Sequence, residues 1–541
     1  MRNIKNIARC LLALGIISIS SCAKKIDEAF INPNAGVKKP IETLLPGIIG
    51  NMVGSSAAAG SAYGTANDGI YIGRYVQFWA TNVTGNQYDQ MGGATGALDI
   101  LGSVWAMHYF GMGQNLNRII EWGTEEKKWD YVGVAHAIKA WSWLTLTNVY
   151  GEVILTEAFN TSQLTFKYND QADVYDTVRS VCRTALSFLN QTGDGVDAQN
   201  LAKGDAYFYN GDVNKWKKFV YSVMARSFNQ LSNKTTYNAD SVLFYCNLAI
   251  NVNSDNAYAR FANTGITGTS NYFGPFRGNV GALRQAQYPV NLLTGLNSRF
   301  PGVVDPRAPY LLRQNTNGTY RGIVPNKGAS GLVAADRPEN YWGQGFDTVT
   351  SPTSDAKARY IFRNAAYYPI ITAAEIQFMK AEAYYRKGEK PQALTAYQAG
   401  IGIAFDMLTA DFNANIPPAQ AITPTSKAAY LGNPVIVPSA ANLKLSHIML
   451  QKYLALYGYG SIEVWNDMRR FHYTDQEGAE QVFTDFTPPA GTDLFINNNN
   501  KLVYRARPRY NSEYLYNIAE LDRLGALALD YNTKEQWFTQ K

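Results

Sequence analysis

Residues 371–387, ITAAEIQFMKAEAYYRK, read as one helix; Gly388 stops it, and Pro391 opens a second helix that residues 392–407, QALTAYQAGIGIAFDM, carry onward. Ala381 stands three residues before Tyr384, Ala393 stands four before Tyr397, and small Gly400 follows. Small residues let two helices approach closely, and rings fill the gap between them. Any antiparallel helix pair needs this alternation, so the fold is decided by whether the pattern recurs.

It recurs on both sides. Residues 135–150, AHAIKAWSWLTLTNVY, contain no Gly or Pro and put Ala137, Trp141, Leu144 and Asn148 along one helical side. Tyr175, Val178, Val181, Cys182, Ala185 and Leu189 form an i, i+3, i+4 stripe. Residues 216–231 and 241–250 read the same way, and residues 443–456 and 461–471 form a further pair about the turn Gly458-Tyr459-Gly460. The small-and-aromatic spacing of 371–407 is that of tetratricopeptide repeats. The expected fold is mainly all-α: a tetratricopeptide-like helical repeat scaffold with long irregular loop insertions.

The chain has 541 residues, 46% of them hydrophobic and 17% charged, enough for a large core and too apolar for intrinsic disorder. Its net charge of +6 falls to +3 once Arg2, Lys5 and Arg9 of the leader are set aside. No basic block remains to track phosphates, so nucleic acid is not an expected partner. Tyr outnumbers Phe, 36 to 24, which suits surfaces that are both apolar and wet.

Residues 1–9 are short and basic, 10–19 mostly apolar, and Ile19-Ser20-Ser21-Cys22 follows. The apolar run has secretory-signal length and is too short to span a bilayer. The tetrapeptide resembles a bacterial lipobox, with Ile19 where Leu is usual. The expectation is a signal peptide over 1–21 and a mature chain over 22–541, acylated at Cys22 and built as one domain. Cys182 and Cys246 lie in apolar helical patterns and read as buried free thiols rather than a disulfide.

Catalytic signatures are missing. His108, His136, His447 and His472 show no HExxH or paired spacing, and there is no GxSxG elbow, P-loop or dinucleotide fingerprint. No cofactor and no metal site is expected. Arg469 and Arg470 read as a structural pair for Glu463, Asp467 or carbonyls rather than an anion site. A glycosidase needs only two suitably placed carboxylates, a pattern that sequence does not reveal.

Long stretches between the helices change composition: 50–102 is rich in Gly, Ser, Ala and Asn, 260–355 in Gly, Asn, Pro and aromatics, and 487–500 is polar and turn-rich. Loops of such length tend to carry function. A ligand that offers both hydroxyls and flat C–H faces needs exposed rings beside amides and carboxylates. Residues 75–88 supply Trp79, Asn82, Gln87 and Tyr88; the insertion supplies Tyr272, Phe273, Tyr341 and Trp342. Trp79 reads equally well as core. Tyr341 and Trp342 are expected to protrude, because Gly343-Gln344-Gly345 follows them.

Taken in order, the segments resemble the SusD/RagB family of nutrient-binding outer-membrane lipoproteins of Bacteroidetes. The segments are AIKAWSWLTLTNVYGEVILTEAF (137–159), VYDTVRSVCRTALSFL (174–189), WKKFVYSVMARSFNQLSN (216–233), VVDPRAPYLL (303–312), AAEIQFMKAEAYYRKGE (373–389), QKYLALYGYGSIEVWNDMRRF (451–471) and RARPRYNSEYLYN (505–517). The charged tract Lys24-Lys25-Ile26-Asp27-Glu28 loosely resembles that group's surface-export signal. The resemblance implies four tetratricopeptide-like helix pairs and loops that hold a glycan or, in some members, a peptide. It also implies a SusC-type TonB-dependent outer-membrane barrel as partner, and capture without catalysis. No ligand-contact motif of the family matches, so the residues picked above rest on composition and position. The competing reading is a lipid-anchored glycoside hydrolase.

Overall fold

The structure, a computed structural model, describes residues 38–54, 63–85, 91–92 and 101–541. Cys22, Gln87 and Tyr88 lie outside them. The helices that shape the site are α1 (Leu45–Val53), α2 (Thr65–Tyr75), α3 (Gly113–Glu125), α4 (Trp129–Tyr150), α5 (Gln171–Leu189), α6 (Val213–Asn229), α7 (Ala239–Leu248), α8 (Gln287–Thr294), α9 (Ala373–Arg386), α10 (Lys390–Asp411), α11 (Leu445–Ala455) and α12 (Ser461–Arg470). Several begin where a side chain takes up the free N–H groups of the first turn. Asp212 accepts from the amides of Asn214 and Lys215, Asn238 from that of Ser241, and Thr372 from that of Glu375.

The helices pair as the sequence leads one to expect. α4 lies along α5, α6 along α7 and α9 along α10; α5 also meets α6, α7 meets α9, and α9 meets α11. Between α9 and α10 the small-and-aromatic alternation does its expected work. A Cβ at Gly400 would sit 3.0 Å from the Phe378 ring, so the helices close to this distance only because no Cβ is there. Gly388, at φ 79°, ends α9. The C-terminal segment differs from the expected pair: α12 packs chiefly on α2 and also touches α4, not closely along α11. Cys182 and Cys246 are buried free thiols.

Strands are short. β1 (Trp79–Thr81) pairs antiparallel with β3 (Leu283–Gln285), Trp79 opposite Gln285, and β2 (Ala257–Ala259) with β4 (Tyr368–Ile371). They staple the loop insertion to the helices. The insertion is held further by buried Arg284, whose guanidinium donates to the carbonyls of Gly281, Leu283, Phe346 and Thr348. Asp305 and Arg307 form a fully buried pair at 2.6 Å, and Arg307 also donates to Gln451 of α11 at 2.5 Å.

A chain of buried ions crosses the repeat. Arg226 of α6 donates to both oxygens of Glu375 on α9 at 2.7 Å and reaches Glu463 of α12 at 3.2 Å. Arg470 of α12 binds both oxygens of Glu382 on α9 (2.8 and 3.0 Å) and Asp467 (2.6 Å), and Lys452 of α11 binds Asp467 at 2.8 Å. The Arg470 guanidinium, with Arg386, holds the Glu382 carboxyl far below the usual carboxylate range despite burial. Arg469 and Arg470 are thus structural, as expected. Removing one partner strands the other charge in the interior, so Glu382→Gln is expected to cost about 3–5 kcal/mol. Chemical denaturation checks this, and Glu382→Gln with Arg470→Gln should recover part of the loss.

Candidate functional site

The rings picked as sugar platforms lie in the core. Trp79 is fully buried, donates from Nε1 to the Ile70 carbonyl at 2.8 Å, and meets Phe78, Phe273 and Tyr341 edge to face. Tyr272 donates to Asn67 Oδ1 at 2.6 Å, and Phe273 is fully buried. Tyr341 stacks on Phe362 with centroids 4.0 Å apart and pairs its hydroxyl with that of Tyr457 at 2.5 Å. Trp342 is 1% exposed and donates from Nε1 to the Phe273 carbonyl at 3.0 Å.

The expectation that Tyr341 and Trp342 protrude is therefore corrected, and the other three rings leave the binding surface with them. A ring with no free face cannot stack on a sugar. The cause is local. Asn340 Oδ1 accepts from the amides of Trp342 and Gln344, both at 3.0 Å, and Gly343 takes φ 80°, so the turn folds the indole inward. Asn82 remains half-buried where β1 ends, its amide donating to the Ala282 carbonyl at 3.0 Å.

A cleft of about 230 Å³ is lined by Gln77 and Gln287, which flank the paired Trp79 and Gln285 where β1 begins. Three extended segments form its support. β1 pairs with β3; the Gln287 amide donates to the Ile323 carbonyl and the Ile323 amide to the Gln285 carbonyl, both at 2.9 Å; Thr84 bridges to Lys327. Across from them stands the C-terminal loop with Asp485, Thr487, Pro488, Pro489 and Asp493. The first turn of α8 contributes Gln287, Tyr288 and Asn291.

The cleft is rich in hydrogen-bonding groups. Gln77, at φ 60°, donates to the Thr487 carbonyl at 2.6 Å and so fastens the loop to the end of α2. Gln287 donates to Asn291 Oδ1 at 2.6 Å, which orients both amides. Asp485 is exposed and accepts from the Ser298 amide at 2.6 Å; Lys327 holds Asp493 at 3.0 Å. Pro488, Pro489 and the half-exposed Val324 add apolar surface. Tyr288 packs edge to face on Tyr453 and Phe486, and its buried hydroxyl has no partner among the described residues. Burial pushes that phenol well above its ordinary pKa, so it stays a neutral donor. A buried hydroxyl without a partner carries a desolvation cost that a ligand oxygen would remove.

Sequence reasoning passed over Gln287, Tyr288 and Asn291, because they fall in the stretch 260–355 that composition reads as irregular loop, whereas the structure forms α8 there. The loop over 487–500 did stand out by its composition. The histidines do not gather: His108 pairs with Ser142, His136 stacks on Phe188, and burial pushes them down to about 3 and about 4. Among the described residues no three His, Cys, Asp or Glu side chains group to hold a metal, and no helix is long and apolar enough to cross a membrane.

Residues 37–485 match the SusD-like family described as starch-binding and associating with the outer membrane, and the chain belongs to that family. No curated protein matches it. Among solved structures it is similar to a SusD/RagB family protein of Bacteroides thetaiotaomicron, with 19% identity, TM-score 0.67, and 93% of this chain and 99% of that one covered. It is also similar to a SusD homolog of Bacteroides fragilis, with 19% identity, TM-score 0.68, and coverage of 92% and 100%. A chitin-binding SusD homolog of Flavobacterium johnsoniae is 16% identical at TM-score 0.64, with 92% and 98% covered. At these identities the likeness shows the fold.

Trp342→Ala is expected to destabilise the protein by about 3–5 kcal/mol in denaturant melts, as for a core aromatic deletion. Its effect on ligand affinity should be slight as long as the protein stays folded.

Proposed function

We propose that this protein is a surface lipoprotein that captures an oligosaccharide in the cleft beneath Tyr288 and passes it to a TonB-dependent outer-membrane barrel, without covalent chemistry. The observation that carries the reading is a cleft lined by the amides of Gln287 and Asn291, the Asp485 carboxylate and apolar C–H surface, with Tyr288, whose hydroxyl has no partner among the described residues, in its wall. Planar amides and carboxylates bind vicinal hydroxyls, while Val324 and Pro488 suit the C–H faces of a pyranose. At about 230 Å³ the cleft lies below the ~300–1,000 Å³ usual for drug-sized ligands, so it grips one end or one ring of a longer chain. Family membership supports a glycan as ligand, starch and chitin being the polysaccharides named for the family and for one neighbour.

Starch- and chitin-derived oligosaccharides, with peptide pools as the contrasting ligand class, test this by calorimetry on residues 23–541, with the same mixtures assayed for cleavage. Saturable binding without product is expected. Tyr288→Phe should weaken binding about 5- to 30-fold, through loss of one hydrogen bond in a buried setting, with little change in melting temperature. Turnover that one Asp or Glu change abolishes would replace this reading with the hydrolase. Anchoring is tested separately: Cys22→Ser in the full chain should leave the protein unlipidated, and fractionation should find it outside the outer membrane.

A further inference from the structure

A second cleft, of about 200 Å³, shares no lining residue with the first. Its walls are Trp105, Tyr109, Phe110, Ile154, Ala158, Phe159 and Phe166, closed by Ser512 and Glu513. Two wide π-helical turns flank it, Met107–Met112 and Tyr510–Tyr514. Such turns are rare and concentrate at functional sites, because they re-aim side chains that a regular helix would point elsewhere.

The rings form a continuous wall. Trp105 and Tyr109 have centroids 4.9 Å apart, and Tyr109 and Phe159 are 6.0 Å apart. Tyr109 is fixed by donating to the Ile154 carbonyl at 2.7 Å. Phe110 stands 58% exposed at the mouth with the Arg509 guanidinium 5.6 Å from its centroid, so one cation already lies over this aromatic surface.

Glu513 is the anomaly. It is 6% exposed, and Tyr168 (2.8 Å) and Asn517 (3.0 Å) both donate to the same oxygen, Oε2. Among the described residues no Lys, Arg or His nitrogen pairs with it. Elsewhere in this protein buried Glu382 and Glu375 each have an arginine. An interior carboxylate without a counter-ion is costly, and burial pushes the Glu513 carboxyl up. Aromatic faces around a buried acid are the arrangement that recognises ammonium groups, the charge attracted by carboxylate and ring quadrupoles together.

We propose that this cleft binds a small organic ammonium ion, whose charge supplies the missing partner of Glu513 and whose alkyl part lies against Trp105, Tyr109, Phe159 and Phe166. A neutral apolar ligand would leave the carboxyl uncompensated, and an anion would meet it as a like charge. The volume limits the ligand to a few heavy atoms about the nitrogen.

The test uses the intact chain and three probes at fixed ionic strength: n-butylammonium, tetramethylammonium and the uncharged n-butanol. Calorimetry and saturation-transfer NMR read the binding. Both ammonium ions should bind saturably, and n-butylammonium about tenfold or more tighter than n-butanol. Glu513→Gln should remove that preference. Phe110→Ala, which alters an exposed ring, should weaken the ammonium ions several-fold at unchanged melting temperature. Equal affinity for n-butanol, ammonium binding that survives in folded Glu513→Gln, or no binding of either ion would overturn the proposal. If Glu513→Gln does not fold, the probe comparison and Phe110→Ala still decide.

Discussion

The scaffold depends on one constraint: four helices share a buried set of charges that are satisfied only together. Glu375 and Glu382 sit on one helix, Arg226 on another, and Glu463, Asp467 and Arg470 on a third, with Lys452 completing the set. Burying ions costs several kcal/mol each, and the attraction returns it only when every lone pair and proton is placed. That requirement fixes the register of the helices. Arg469, beside this set, has no carboxylate partner among the described residues. It lies on the Trp465 ring at 3.7 Å and donates to the carbonyls of Asn148 and Tyr504, and burial pushes it down to about 9. It therefore spans from α12 to the end of α4 and to the C-terminal segment, which explains how α12 is drawn away from its sequence neighbour.

The long insertion obeys a similar rule. It has little regular structure, so its backbone carbonyls need donors from elsewhere. Arg284 satisfies four of them, and Arg313 joins the Lys357 carbonyl to Glu339. The aromatic residues then fill the space between insertion and helices. This is why rings that composition suggests as platforms act as mortar, while hydrogen-bonding chemistry gathers at the seam where α8, the Val324 turn and the C-terminal loop meet.

Most of the long helices, and the pairing of α9 with α10, were legible in the sequence, because the 3.6-residue stripe and the Ala381, Ala393 and Gly400 positions are local signals that packing reinforces; the partner of α12 was not. Arg469 and Arg470 were legible as structural: Asp467, one turn away, does pair with Arg470, and Arg469 takes the carbonyls that were the stated alternative. The direction of Trp342 was not. The same Trp-Gly-Gln-Gly string serves a protruding loop or an inward turn, and the choice was made by Asn340 and by the Phe273 carbonyl, which is distant in sequence. Tyr288 was hidden for another reason: its short helix lies inside a stretch whose Gly, Asn and Pro content reads as loop, and only when Tyr453 and Phe486 pack around its ring is its hydroxyl left without a partner among the described residues.

The most direct measurement is a crystal structure of the protein with a bound oligosaccharide. The account predicts sugar density between the first turn of α8 and the 485–493 loop, with a ligand oxygen at hydrogen-bonding distance from the Tyr288 hydroxyl. Density at any other face, with this cleft holding only solvent, would contradict it.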